Sequence, residues 1–338
     1  MQPDEARPLD WNYPGPFRRA LLAPRYWGIW LALGLFRLFM LLPQRWRLAL
    51  GARMGELSLE RAAKRRAIVR TNLEWCFPEL DDAAREARAR ACFRAAAQSF
   101  ADYGLVWWGS RRQMDERMFI TGAEALEATL AAGRPAILLT CHSVFLDYGA
   151  LSLTRRFPVL GMIKHARNPA VDWFLADRRS RLKGIVARRD HGMRPVVRAL
   201  REGYAFFYVP DEDLGPERSI FVPFFGIPTA TVEALPRLVK MTGAAVFPFT
   251  TILHEDGRYE TRLLPPLADY PGTDERADVA RMNLELEKLI RLAPDQYMWS
   301  LRLFQTRPDG SPPPYAMKGK PGSGPRPRPA DALPPREQ

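Results

Sequence analysis

The chain has 338 residues, 47% of them apolar and 26% charged, which excludes wholesale disorder and suits one large domain or two small ones. Fifty Lys and Arg against 38 Asp and Glu give a net charge of +12, a surface suited to nucleic acid, anionic headgroups or an acidic protein. The three cysteines, Cys76, Cys92 and Cys141, form no Cys-x-x-Cys pair, which argues against a disulfide framework or a structural zinc and fits a reducing compartment.

Residues 1–25 contain Pro3, Pro8, Pro14 and Pro16 and read as a loose arm. Residues 26–43, YWGIWLALGLFRLFMLLP, carry a single charge, Arg37. As one helix they would run roughly 27 Å, close to the thickness of a bilayer core. A cleaved signal peptide is disfavoured because the run starts late, is long and lacks a small-residue cleavage site. A buried soluble helix is a second reading. The favoured one is a membrane-associated helix over 26–50, spanning or lying in the interface, with Trp27, Trp30 and Trp46 as interfacial aromatics. A mid-bilayer Arg costs about 3 kcal/mol, so Arg37 argues for a shallow seat. Basic residues flank the run on both sides and leave its orientation open.

A basic amphipathic stretch follows at about 54–75, either a solvated face or a membrane-surface patch. Residues 81–108 have helical spacing, with Phe93, Ala97 and Phe100 on one face. The pattern then changes. Short apolar runs at 135–140, 158–163, 204–209 and 244–252 read as buried strands. Helical patterns at 147–155, 169–182, 193–202 and 231–242 separate them, 258–264 suggests an antiparallel strand, and 274–292 a further helix. The alternation predicts an α/β domain over 51–307, with a mostly parallel central sheet flanked by helices. Residues 308–338, rich in Pro, Gly and Arg, read as a disordered tail.

The strand 135–140 leads directly into Cys141-His142-Ser143-Val144-Phe145-Leu146-Asp147. His142 leaves the strand and Asp147 begins the next helix, where an acid can cap the N-terminus. A neutral imidazole can take the proton of a lipid hydroxyl as it attacks an acyl thioester. A carboxylate on the other ring nitrogen fixes the tautomer, and backbone amides at the helix start could hold the oxyanion. A packed His beside an unrelated capping Asp is the bland alternative. Cys141 precedes His142 and points to the opposite face of an extended chain, a poor nucleophile–base pair. There is no Gly-x-Ser-x-Gly, His-Glu-x-x-His or Walker phosphate loop, so neither a metal nor a cofactor is expected.

The His-(four residues)-Asp pattern resembles that of the glycerolipid acyltransferase superfamily. Linked motifs make the likeness specific to the bacterial lipid A biosynthesis (lauroyl/myristoyl) acyltransferases: RRAIVRTNLEWCFPEL (65–80), NPAVDW (168–173), YVPDEDLGPERSIFVPFFG (208–226), KMTGAAVFPF (240–249) and APDQYMWSLRLFQTRPDG (293–310). The resemblance covers about 26–315. It implies an acyl carrier protein thioester as donor and a hydroxyl of a Kdo-bearing lipid A precursor as acceptor, at the bacterial inner membrane with the catalytic domain facing the cytoplasm. It makes His142 the base and Asp147 its partner, and assigns Asn168, Arg179, Arg181, Asp211 and Asp213 to substrate binding. The roles of Asp211 and Asp213 stay open, since such a pair can hold a metal or serve the structure. The positive charge suits an acidic carrier, a phosphorylated acceptor and an anionic membrane. Nucleic acid is not expected, because the basic residues are not patterned with aromatics. Alternatives are another lipid acceptor such as a glycerophospholipid, a thioesterase, and a non-enzymatic basic membrane-binding protein.

Overall fold

The computed structural model describes residues 13–315, so residues 1–12 of the expected N-terminal arm at 1–25 and most of the tail at 308–338 lie outside the described residues. The chain begins with α1 (Trp27–Phe39), α2 (Gln44–Arg61), α3 (Ala63–Cys76), α4 (Asp82–Asp102), α5 (Gly104–Trp108) and α6 (Arg111–Arg117). There follow β1 (Met118–Thr121), α7 (Glu124–Ala131), β2 (Ala136–Leu139), α8 (Leu146–Thr154), β3 (Val159–Ile163), α9 (Pro169–Arg179), β4 (Gly184–Arg188), α10 (Arg194–Arg201) and β5 (Ala205–Tyr208). The chain then forms the hairpin β6 (Ser219–Phe224) and β7 (Ile227–Val232), then α11 (Ala234–Thr242), β8 (Ala245–Leu253), β9 (Tyr259–Leu263) and α12 (Glu275–Leu292).

Seven strands form the central sheet in the order β1-β9-β8-β2-β5-β3-β4. All neighbours are parallel except β8 and β9, as the sequence pattern predicts. The continuous apolar runs follow from burial on both faces. Ile137 and Leu139 point into a core shared with Val196 and Met282, while Ala136 and Leu138 point into one shared with Leu126, Leu153 and Phe249. The short edge strands β1 and β4, the β6–β7 hairpin and the helices α6 and α7 escape the sequence reading. β4 ends in Arg188 and β1 has only four residues, so neither shows a clear apolar run. The expected helix from 231 starts later, because β7 continues through Val232.

The apolar run 26–43 is not one helix. The restriction that Pro43 imposes on Leu42 ends α1 at Phe39, and α2 starts after a turn. At 13 residues α1 is about 20 Å long, and among the described residues no helix is long and apolar enough to cross a membrane. Arg37 lies over the Trp108 ring, 5.3 Å from its centroid.

A buried network fixes this corner to the body. Arg47 donates to the Met40 and Leu42 carbonyls and pairs with Asp102 at 2.5 Å. Asp102, fully buried, also accepts from Gln44 and from the Tyr259 hydroxyl at 2.6 Å. Helices α2 and α4 touch backbone to backbone at Gly55, where an added Cβ would lie 2.4 Å from the Phe93 carbonyl oxygen.

Candidate active site

Two neighbouring parallel strands build the site. Register pairs Leu139 of β2 with Tyr208 of β5, and Thr140 N–H extends the ladder to the Tyr208 carbonyl. His142 lies three residues beyond Leu139, and Asp211 three residues beyond Tyr208. Strands in a sheet are about 4.8 Å apart, so equal offsets deliver the two side chains to one place at the carboxyl edge of the sheet.

His142 Nδ1 lies 2.6 Å from Asp211 Oδ1, and the backbone N–H of His142 donates to Asp211 Oδ2 at 2.8 Å. The Tyr297 hydroxyl donates to the same Oδ2 at 2.9 Å. The Asp211 side chain is 1% exposed. Burial disfavours the imidazolium, but the charge and hydrogen bond of Asp211, with a smaller contribution from Glu212, outweigh it and hold the His142 pKa above its ordinary value. Burial would raise the Asp211 carboxyl, yet its contacts with His142 hold it below the usual range. The other ring nitrogen, Nε2, faces Glu212 Oε1 at 3.7 Å.

The loop carrying His142 is fastened to the segment after α12. Met298 N–H donates to the His142 carbonyl, Val144 N–H to the Gln296 carbonyl, and Ser143 bridges Tyr297. Phe145 N–H donates to Ser143 Oγ and Leu146 N–H to the Ser143 carbonyl. With Ser143 N–H on the Cys141 carbonyl and His142 N–H on Asp211, every amide from 142 to 146 is engaged. The oxyanion donors expected at this turn are therefore occupied by the protein itself.

Asp147 departs from its expected place. It lies in the first turn of α8 without capping it, since the position before the helix is Phe145 and no side chain caps there. Its carboxylate makes a two-pronged pair with Arg179, Nε to Oδ1 at 3.0 Å and Nη2 to Oδ2 at 2.8 Å, and accepts from the Tyr103 hydroxyl. The charge of Asp147 raises the Arg179 pKa against the effect of burial. The expected His142–Asp147 dyad is thus replaced by His142–Asp211, with Asp147 held by Arg179.

The remaining expected residues divide similarly. Arg181 donates to the carbonyls of Val106, Trp107 and Gly109, closing the end of α5. Asn168 caps α9, accepting from Ala170 N–H and Val171 N–H. Asp213 accepts from the backbone and hydroxyl of Thr306 and from Gly215 N–H. Asp211 and Asp213 therefore engage different partners. Arg181, Asn168 and Asp213 fix the backbone around the site with the atoms expected to meet substrate. Tyr297, Glu212 and Arg189 join the site without having been singled out.

Behind the loop lies an apolar cavity of about 760 Å³. Phe36, Phe39, Met54, Phe93 and Phe100 line it from α1, α2 and α4, and Val144 and Met298 carry it to the residues flanking His142.

A mostly parallel sheet that brings a His–carboxylate pair to its carboxyl edge, near an apolar cavity, is the architecture of an α/β enzyme. Comparison with known proteins narrows the class. Residues 15–306 match the family described as bacterial lipid A biosynthesis acyltransferase. The chain is similar to a lipid A biosynthesis acyltransferase of Haemophilus influenzae, 35% identical over 88% of this chain and 94% of that one. It is also similar to the lipid A biosynthesis lauroyltransferase of Escherichia coli, at 34% over 88% and 98%, and to the myristoyltransferase of the same organism, at 32% over 91% and 96%. The chain belongs to the bacterial lipid A biosynthesis acyltransferases.

Proposed function

We propose that this chain transfers a fatty acyl group from an acyl carrier protein thioester to a hydroxyl of a Kdo-bearing lipid A precursor. The observation that carries the reading is the His142–Asp211 pair, with Nδ1 engaged at 2.6 Å and Nε2 left without a hydrogen-bond partner among the described residues, 3.7 Å from Glu212. Asp211 fixes the proton on Nδ1, so Nε2 can act as base. The acceptor oxygen attacks the thioester carbonyl while its proton passes to Nε2. The C–S bond then breaks, and the leaving sulfur takes that proton from the imidazolium, giving ester and thiol. Asp147 and Arg179 position the start of α8 rather than meeting the reacting atoms. The cavity receives an apolar chain, its volume falling within the usual range of ligand sites, roughly 300–1,000 Å³.

The same reading places the enzyme on an anionic membrane, at the cytoplasmic face of the inner membrane. Twelve of the eighteen exposed large apolar side chains among the described residues fall between Phe17 and Leu57, including Trp27, Leu31, Leu35, Leu38 and Trp46. Such a concentration marks an interaction surface, and the exposed Arg25, Arg45 and Arg53 beside it suit acidic headgroups.

The test is mass spectrometry of lipid A from cells lacking the gene, complemented by wild type or by His142→Ala. Loss of one acyl mass, restored by the wild type alone, is expected. Unchanged lipid A would move the acceptor to another lipid, and full rescue by His142→Ala would remove the base.

A further inference from the structure

The nitrogen of His142 that must receive the proton already has a neighbour. Glu212 Oε1 stands 3.7 Å from Nε2, and Glu212 Oε2 is 2.5 Å from Arg189 Nη1. Arg189 directly follows β4, and Glu212 directly follows Asp211. The two carboxylates on this imidazole differ in kind. Asp211 is buried and saturated by three hydrogen bonds. Glu212 is 34% exposed and its partner Arg189 is 41% exposed, and among the described residues neither has another ion-pair partner beyond this triad. The adjacent Arg188 is occupied by Asp190.

A carboxylate at this distance opposes the reaction twice. It takes up the approach along which a hydroxyl must come within hydrogen-bond reach of Nε2, and it favours the protonated ring, which cannot accept a proton. Productive binding therefore requires Glu212 to turn away, and what holds it is a guanidinium. That group takes phosphate in the same forked geometry as carboxylate, and exchange at an exposed pair is easy. We propose that Glu212 and Arg189 form a latch over Nε2 of His142, opened when a phosphate-type anion of the acceptor takes the Arg189 guanidinium. The latch rests on the reading of His142 as the base. It makes the anionic headgroup a condition for having a usable base, so selectivity for a phosphorylated acceptor arises in the catalytic step as well as in binding.

The test uses the full-length enzyme, an acyl carrier protein thioester, and two acceptors: a phosphorylated lipid A precursor and the same lipid after phosphatase treatment. The wild type should prefer the phosphorylated acceptor by about 5- to 150-fold in kcat/KM, the usual span of such couplings. Glu212→Gln should shrink that preference chiefly by raising the rate on the dephosphorylated acceptor. Arg189→Gln should shrink it from both sides, freeing Glu212 and so raising the rate on the dephosphorylated acceptor, and losing the phosphate contact and so lowering the rate on the phosphorylated one. Asp211, Glu212 and Arg189 are the charged groups facing His142, with Tyr297 acting through Asp211, so Glu212→Gln should also move the acid limb of the rate profile to lower pH. Inorganic phosphate added with the dephosphorylated acceptor should leave its rate low, and full recovery would overturn the assignment to the acceptor's own anion. An unchanged preference in Glu212→Gln would overturn the latch while leaving the reaction standing. Absence of transfer to either acceptor by the wild type would instead overturn the reading of the reaction.

Discussion

Replacing Asp211 by Asn separates the two candidate carboxylates. Asp211 accepts three hydrogen bonds, from Tyr297 OH and His142 N–H through Oδ2 and from Nδ1 through Oδ1. An amide oxygen in the Oδ2 place keeps the first two. That forces the NH₂ group to face Nδ1, which must then become an acceptor, so the ring proton moves to Nε2. The base is then in the wrong tautomer although the packing is conserved. General-base catalysis contributes roughly 10²–10⁴-fold, so kcat should fall by about that factor, or about 3–5 kcal/mol in the barrier. The residual rate should also show a shifted profile. Asp211 is the chief group raising the His142 pKa against burial, so with Asn the acid limb of kcat/KM should move to lower pH. Thermal unfolding should change little. The assay is transfer of labelled acyl chain to the lipid acceptor across pH 5–9, beside Asp147→Asn. A rate within about tenfold of wild type for Asp211→Asn, with an unmoved acid limb and a collapse for Asp147→Asn, would refute the pairing.

Three further expectations concern the scaffold. Asp102→Ala strands the Arg47 guanidinium in a buried corner and should cost about 3–5 kcal/mol, read from denaturant midpoints, with α2 losing its seat. Replacing Leu31, Leu35 and Leu38 by Ser should release the enzyme from vesicles containing anionic lipid while leaving its thermal midpoint nearly unchanged, because α1 contains no buried residue. Glu260, held to about 2 by its hydrogen bonds with Arg262, Thr121 and His254, contributes stability that is present above its ordinary value of 4.5 and is lost as the pH falls towards 2. Glu260→Gln should therefore lower the melting temperature at pH 7 and approach wild type near pH 2.

Legibility in the sequence followed packing. Strands covered on both faces, such as Ala136–Leu139, announce themselves as unbroken apolar runs, and the order of strands and helices predicts the parallel sheet. The edge strands β1 and β4, which mix buried residues with part-exposed ones, did not. His142 stood out because strand, loop and helix meet there. Its contact with Asp211 did not, because that depends on β2 and β5 lying side by side. Adjacency of strands far apart in sequence leaves no local mark, although equal offsets from two strand ends become a signal once adjacency is known. Asp147 invited a pairing by nearness in sequence, yet Arg179 and Tyr103 hold it. Arg181 and Asn168 were marked by chemistry that the backbone itself consumes. The apolar run at the N-terminus announced a set of exposed apolar side chains, while Pro43 divided it.

The separation between sheet and helices has an evolutionary corollary. The distance between His142 and Asp211 is inherited from hydrogen-bond register, so a change that preserves the ladder preserves the spacing of the pair. The cavity wall is drawn largely from α1, α2 and α4, none of which carries a reacting group. On the proposed reading, substitutions at Phe36, Met54 or Phe93 would lengthen, shorten or bend the space offered to a fatty chain without touching the imidazole. A lineage could thus exchange one acyl length for another through single steps in the helices, with the reaction intact at every stage.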